Sequence, residues 1–258
     1  MILAIDVGNS SISLGAFSRG GELLFVSGFE TELGRSRDRC AVDIKNIFEL
    51  YGYDVRKARG AVISSVVPPV TSNIAAAVKL LTGTEPIIVG PGVKSGVNIQ
   101  TEVHTQLGSD IVAAAVGALE RYQPPLIIID MGTATTITAV NSAGALMGCA
   151  ILPGVRVALE SLSERAAQLP RISIEPPKNV IGRNTVDSMR SGIVYGTAGM
   201  LDGMIERISE QIGDAAVITT GGNMNGIADY CKHEMIHDED LVLRGLYTIF
   251  VRNADKHV

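Results

Sequence analysis

Tryptophan is absent from this sequence, and aromatic residues supply only 4% of its 258 positions. Without large aromatic anchors the core must rest on Val, Ile, Leu and Ala, the usual filling of a sheet covered by helices. Cysteine is scarce as well. Cys40, Cys149 and Cys231 are an odd, scattered set with no C-x-x-C pair, which fits a reducing compartment better than a disulfide framework. No segment approaches about 18 uninterrupted apolar residues, and the opening ILAID has no basic leader before it, so neither a membrane partner nor a secretory signal is expected. The formal charge is −5 with no long basic stripe, which argues against nucleic acid as a partner. A soluble, cytoplasmic protein is the expectation.

Hydrophobic residues make up 46% of the chain and charged residues 19%, enough to bury a sizeable core and too apolar for disorder. The chain also says the same thing twice. Residues 2–17 read ILAIDVGNSSISLGAF and residues 126–140 read LIIIDMGTATTITAV, an offset of 124 (130 − 6). Aligned this way, Asp6 matches Asp130, Gly8 matches Gly132, Asn9 matches Thr133 and Ser11 matches Thr135. In each copy a buried strand delivers a carboxylate to a tight turn, where glycine permits close backbone approach. Such a turn leaves N–H and O–H groups pointing outward, suited to phosphate. Asp6 could in addition hold a metal ion on the phosphates. The plain alternative is a β-hairpin whose Gly, Asn and Ser are merely good turn formers; the duplication weighs against it.

The spacing predicts strands at 2–6, 11–17 and 22–28, a helix near 37–51, strands at 60–67 and 86–90 around a helix at 71–81, and a helix over 109–122. The second half repeats the plan, with strands at 126–130, 135–140, 145–151 and 215–220 and helices near 155–166, 185–212 and 239–253. This is an α/β plan with two domains, 1–123 and 124–258, joined near Gln123–Leu126.

Several segments together resemble the type III pantothenate kinase family: DVGNSSISLGAF (6–17), ISSVVPPVTSN (63–73), LGSD (107–110), IIDMGTATTITAV (128–140), AILPGV (150–155), IGRNTVDSMRSGIVYG (181–196), TTGGN (219–223) and LVLRGLYTIFVRN (241–253). The resemblance spans nearly the whole chain. It implies two ribonuclease-H-like domains, each a mixed β-sheet with helices, of the actin-like ATPase superfamily. It also implies ATP-dependent phosphorylation of pantothenate to 4'-phosphopantothenate, the first step of coenzyme A synthesis. Carried over by position, the ATP phosphate loop falls on Asp6, Val7, Gly8, Asn9, Ser10, Ser11, Ile12 and Ser13, with Mg²⁺ at Asp6. Thr133 falls on an ATP contact, and Gly221 and Gly222 on the glycines that pass the adenosine. Asp130 falls on the ligand of a monovalent cation, K⁺ or NH₄⁺. Asp110 falls on the catalytic base, Gly108, Ser109 and Ile111 flank it in the acceptor site, and Thr185 falls on a pantothenate contact. The family resemblance further implies a homodimer.

The chain departs from the family at the acceptor side. Gly108-Ser109-Asp110-Ile111 stands where the family pattern is Gly-Ala-Asp-Arg, His104-Thr105 replaces the usual Asn-Pro, and Met147-Gly148 replaces Gly-Gly. An arginine there would make bidentate, charge-assisted contacts that Ile111 cannot imitate, a loss of about 2–4 kcal/mol. Two further readings follow: an ATP-binding subunit of a heteromeric kinase completed by a second homologue, or a kinase for a different hydroxyl acceptor. Asp110 also has a bland reading, that of an acid favoured at a helix N-terminus.

Two motifs point elsewhere. His233-Glu234-Met235-Ile236-His237 matches H-E-x-x-H, which on a helix would set two imidazoles on one face for zinc, with Cys231 nearby. On a strand the two histidines would lie about 13 Å apart, too far for one ion, and a loop or edge strand is expected here. Gly199-Met-Leu-Asp-Gly203 is G-x-x-x-G, suited to close helix packing within the domain or across a dimer.

Overall fold

The computed structural model describes residues 1–103, 107–224 and 226–254; His104 and Thr105 lie outside the described residues. The chain divides into two compact units. The first comprises Met1–Val97, Glu102–Arg121 and Asp240–Val258, the second Asn98–Thr101 and Tyr122–Glu239.

In the first unit, β1 (Ile2–Val7), β2 (Ser11–Phe17) and β3 (Leu23–Glu30) form an antiparallel meander, and β4 (Gly60–Ser65) and β5 (Ile87–Ile88) extend it in parallel, giving the order β3-β2-β1-β4-β5. The unbroken ILAI run is explained by burial on both faces. Leu3, Ile5 and Val7 face α1 (Arg37–Leu50) and α2 (Pro68–Thr82), while Ile2 and Ala4 join the opposite cluster with α3 (Ser109–Leu119) and α6 (Leu241–Asn253). Ser36 caps α1 by accepting from the Arg39 N–H. Helix α2 begins at Pro68, ahead of the expected Thr71, because prolines in a first helical turn forfeit no hydrogen bond.

In the second unit, β7 (Leu126–Met131), β8 (Ala134–Val140) and β9 (Ala145–Pro153) repeat the meander. The sheet order is β11-β10-β7-β8-β9-β6, with β10 (Ala216–Thr220), β11 (Ile236–His237) and β6 (Asn98–Ile99) all joining in parallel. Helix α4 (Val155–Arg165) follows β9, and α5 (Thr185–Ile212) lays Val194, Ala198, Leu201 and Ile205 against Ile127, Ile129 and Met131, the spacing of one helical face. Three antiparallel strands extended by parallel ones, twice, are the ribonuclease-H-like arrangement.

The units differ from the expected halves at the carboxy end: α6 belongs to the first. Two glycines explain it. A Cβ on Gly245 would lie 1.8 Å from the Ala113 carbonyl oxygen, and one on Gly117 would lie 2.3 Å from that of Leu241. The backbones of α3 and α6 therefore touch, and only glycine permits it. The ring of Phe250 likewise occupies the space where a Gly60 Cβ would be, at 2.4 Å.

The H-E-x-x-H segment is not helical. Its turn is held by Asp202, whose carboxylate accepts from the N–H groups of Lys232 (2.9 Å) and His233 (3.2 Å). His237 sits in the two-residue β11, its Nδ1 3.2 Å from Thr219 Oγ1. Two imidazoles on one helical face do not arise.

Candidate active site

At the first turn the Gly8 N–H donates to the Ser11 carbonyl at 3.0 Å, closing the loop between β1 and β2. Asn9, Ser10 and Ser11 are exposed at its tip, whereas the side chains of Val7 and Ile12 are fully buried in the core. Of these, Val7 and Ile12 can offer a ligand only their backbone groups. Thr31 braces the loop from β3's end, its hydroxyl donating to the Gly8 carbonyl at 2.7 Å and its N–H to that of Ser10 at 3.0 Å. Asp6, half-buried and paired with Ser13, accepts at Oδ1 from the Ser64 hydroxyl at 2.6 Å.

The second turn is shorter by one residue. Asp6 pairs with Ser13, seven positions on, but Asp130 pairs with Thr136, six positions on. The 124-residue register therefore holds only up to the glycines: Ala134, not Thr135, occupies the place of Ser11. Thr135 takes the place of Ile12, is 1% exposed, and among the described residues its hydroxyl has no hydrogen-bond partner. Thr133 is exposed at the tip, and the Gly132 N–H donates to the Ala134 carbonyl at 3.0 Å. Asn223 binds this turn to the glycine turn after β10. Its N–H donates to the Met131 carbonyl (3.2 Å) and its side-chain amide to that of Gly132 (3.1 Å). Gly221 has φ +89°, and a Cβ there would fall 2.5 Å from Asp130 Oδ1. Gly222 is exposed beside it.

Asp110 lies in the first turn of α3, where the helix dipole favours a carboxylate. Its Oδ1 accepts from the Ile111 N–H at 2.9 Å and swings back over Gly108, where a Cβ would come within 2.3 Å of it. The start of α3 is tied to β4: the Ser109 hydroxyl accepts from the Ser65 N–H at 2.9 Å and donates to its carbonyl at 3.2 Å. Consecutive residues of one strand thus hold the Asp6 carboxylate and the helix bearing Asp110. Ile111 is 7% exposed, its side chain turned inward. Thr185 belongs to the second unit, exposed at the start of α5, where Asn184 caps the helix by accepting from the Asp187 N–H. It borders a groove of about 770 Å³ with Leu162, Leu169 and Met189.

The donor sets suit the expected cations. Asp6 offers a carboxylate beside exposed hydroxyls, hard oxygen donors that match Mg²⁺, which keeps waters and phosphate oxygens as its other ligands. Asp130 offers a carboxylate over the backbone hollow left by Gly221, a cradle that a Cβ would fill. Thr31, Ser64 and Asn223 are contributors to these turns that the motif reading passes over. Ser64 and Asn223 lie inside segments that carry the family resemblance, ISSVVPPVTSN and TTGGN, whereas Thr31 has no sequence signal.

The model of the type III pantothenate kinase family matches residues 2–207. The type III pantothenate kinase of Brevibacillus brevis is 39% identical over 254 residues, covering 98% of this chain and 99% of its own. Among solved structures, the activator of 2-hydroxyisocaproyl-CoA dehydratase from Clostridium difficile, with bound ADPNP, aligns over 100% of this chain and 97% of its own with a TM-score of 0.60 at 12% identity. Component A of (R)-2-hydroxyglutaryl-CoA dehydratase from Acidaminococcus fermentans aligns over 99% of this chain and 98% of its own with a TM-score of 0.59 at 14% identity. Those two likenesses speak for the fold, that of the actin-like ATPases. The family match and the close relative speak for the activity: the chain belongs to the type III pantothenate kinase family, phosphotransferases that phosphorylate pantothenate in coenzyme A biosynthesis.

Proposed function

We propose that the transfer runs from ATP in line to the pantothenate hydroxyl, with Asp110 as the base and the Asp6–Ser13 turn of the same unit as the phosphate loop. Asp110 accepts the hydroxyl proton as the new oxygen–phosphorus bond forms and the bond to the β-phosphate oxygen breaks, so that ADP leaves. The exposed N–H and O–H groups of Asn9, Ser10, Ser11 and Thr133 hold phosphate oxygens, and Gly221 and Gly222 leave room for the nucleoside. Mg²⁺ at Asp6 and a monovalent cation, K⁺ or NH₄⁺, at Asp130 supply neutralising charge when bound. An adenine nucleotide as donor is supported by the ADPNP in the dehydratase activator of the same fold.

The single observation that supports this assignment best is the double use of β4. Ser64 contacts Asp6 while Ser65 contacts Ser109, so the spacing between phosphate turn and base is set by one strand end. Asp110→Asn keeps the size and the helix start but removes the base. Its expected effect is loss of ADP release with pantothenate by at least a hundredfold while ATP still binds. Full turnover in that variant would refute the role.

A homodimer in the cytoplasm belongs to the same reading. Among the described residues, Cβ atoms added at Gly192, Gly196 and Gly199 of α5 would meet nothing within 4 Å, so these glycines are available for packing against a second copy. Sedimentation of the purified chain, alone and mixed with any second homologue, separates homodimer from heteromer.

A further inference from the structure

Ser64 is out of character for its strand. Its neighbours Ala61, Val62 and Ile63 are buried and apolar, and Ser64 itself is 0% exposed. A buried hydroxyl is costly unless it is hydrogen-bonded. Here its partner is the Asp6 carboxylate, at a distance of 2.6 Å that is typical of a hydroxyl donating to an ionised oxygen. Strand register places the two together, because β1 and β4 run parallel with Asp6 directly opposite Ser64. An alanine there would fit the strand with no polar group to satisfy. The serine adds a fixed direction to the carboxylate.

The duplicated unit supplies an internal comparison. Opposite Asp130 in the parallel pair of β7 and β10 stands Thr220, again a buried hydroxyl residue, 2% exposed. Its hydroxyl donates to the Glu239 carbonyl at 3.4 Å, a contact to the chain leaving that unit. The residue at this position bonds the neighbouring chain in one half and orients a carboxylate in the other. Asp6, the carboxylate that Ser64 contacts, is the one assigned to Mg²⁺.

We propose that Ser64 is a positioning residue for the reaction, its hydroxyl holding the Asp6 carboxylate in the orientation that receives the Mg²⁺–nucleotide. The proposal rests on Asp6 serving Mg²⁺–ATP, and not on the identity of the acceptor.

The test is calorimetric titration of ATP into the full chain at a series of Mg²⁺ concentrations, for wild type, Ser64→Ala and Ser64→Thr, alongside thermal midpoints without nucleotide. In Ser64→Ala the Mg²⁺ concentration giving half-maximal ATP affinity is expected to rise about tenfold, the cost of one charge-assisted hydrogen bond. Its thermal midpoint without nucleotide should stay at or above that of wild type. Ser64→Thr, which keeps the hydroxyl, should restore the wild-type Mg²⁺ dependence. Unchanged Mg²⁺ dependence in Ser64→Ala overturns the proposal, as does equal impairment of the Ala and Thr variants, which would mark a packing role. Should the alanine variant not fold, Ser64→Cys, similar in size and a weak donor, is read in the same way. A wild type that binds Mg²⁺–ATP but leaves pantothenate untouched would defeat the acceptor assignment while the Ser64 comparison still reads.

Discussion

The Ser109 hydroxyl is bonded to both backbone groups of Ser65, accepting from its N–H at 2.9 Å and donating to its carbonyl at 3.2 Å. Beyond that point the Val66 N–H donates to the Val7 carbonyl, so the end of β4 remains stitched to β1 while it anchors α3. Helix α3, which carries Asp110, is therefore fastened to the same strand end that holds Asp6. Ser109→Ala frees that fastening and leaves two part-buried backbone groups short of a partner. Each net hydrogen bond is worth about 0.5–1.5 kcal/mol, so losing both should lower kcat by about five- to 150-fold with the KM for ATP unchanged. Ser109→Thr should retain most of the activity. Steady-state ADP release with pantothenate measures both.

Gly221 and Gly222 make a paired comparison. Gly221 has φ +89°, and its missing Cβ would lie 2.5 Å from Asp130 Oδ1 and 2.8 Å from the Met131 N and carbonyl carbon. Gly222 has no positive φ, and among the described residues an added Cβ meets nothing within 4 Å. Gly221→Ala should therefore cost roughly 2–4 kcal/mol of stability and displace the Asp130 carboxylate. Gly222→Ala should stay within about 0.5 kcal/mol of wild type. Urea midpoints separate them, and a dependence of activity on K⁺ or NH₄⁺ that is present in wild type and Gly222→Ala but lost in Gly221→Ala would support the proposed cation role of Asp130.

The Asp-x-Gly turns are legible in the sequence because strand, carboxylate and glycine are contiguous there. The contacts that support them are not, because they are made from far along the chain: Thr31 reaches Gly8 from 23 residues away, Ser64 reaches Asp6 from 58, and Asn223 reaches Gly132 from 91. No periodicity encodes such pairs. The register of the repeat misleads for a related reason. Residue identity aligns Ser11 with Thr135, but the number of residues in each turn decides which side chain faces inward, and the second turn is one shorter. The placement of α6 escapes a linear division because Gly117 and Gly245 specify contact with α3 only once both helices exist.

Burial and, secondarily, the nearby Asp202 carboxylate push the Cys231 thiol up to about 11, from an ordinary value of 9.0. The folded state holds this proton more tightly than the unfolded chain does. Its contribution to stability is therefore complete below pH 9 and is lost as the pH rises through about 11. Cys231→Ser, which does not titrate there, should show a shallower fall in urea midpoint between pH 9 and about 11 than wild type. Parallel curves across that interval would remove Cys231 from the alkaline transition.

The proposed acceptor assignment can be tested at Ile111. Replacing it with arginine restores the family pattern but conflicts with two local features. The position is only 7% exposed and lies in the first turn of α3, where a cation opposes the helix dipole. Loss of the buried isoleucine side chain alone costs about 1.5–3 kcal/mol, so Ile111→Arg should melt several degrees lower than wild type. A guanidinium long enough to reach out of the turn would in return offer two parallel donors to a carboxylate or phosphoryl group. The expected outcome is a rise in kcat/KM for pantothenate of at least tenfold, despite the lower melting point, with little change for acceptors that lack a carboxylate. The comparison distinguishes the two possible origins of the departure. A gain restricted to pantothenate means the chain works with a weakened grip on its acceptor. A folded variant with no gain means the acceptor carboxylate is held elsewhere, and Ile111 is then part of a site arranged without the arginine.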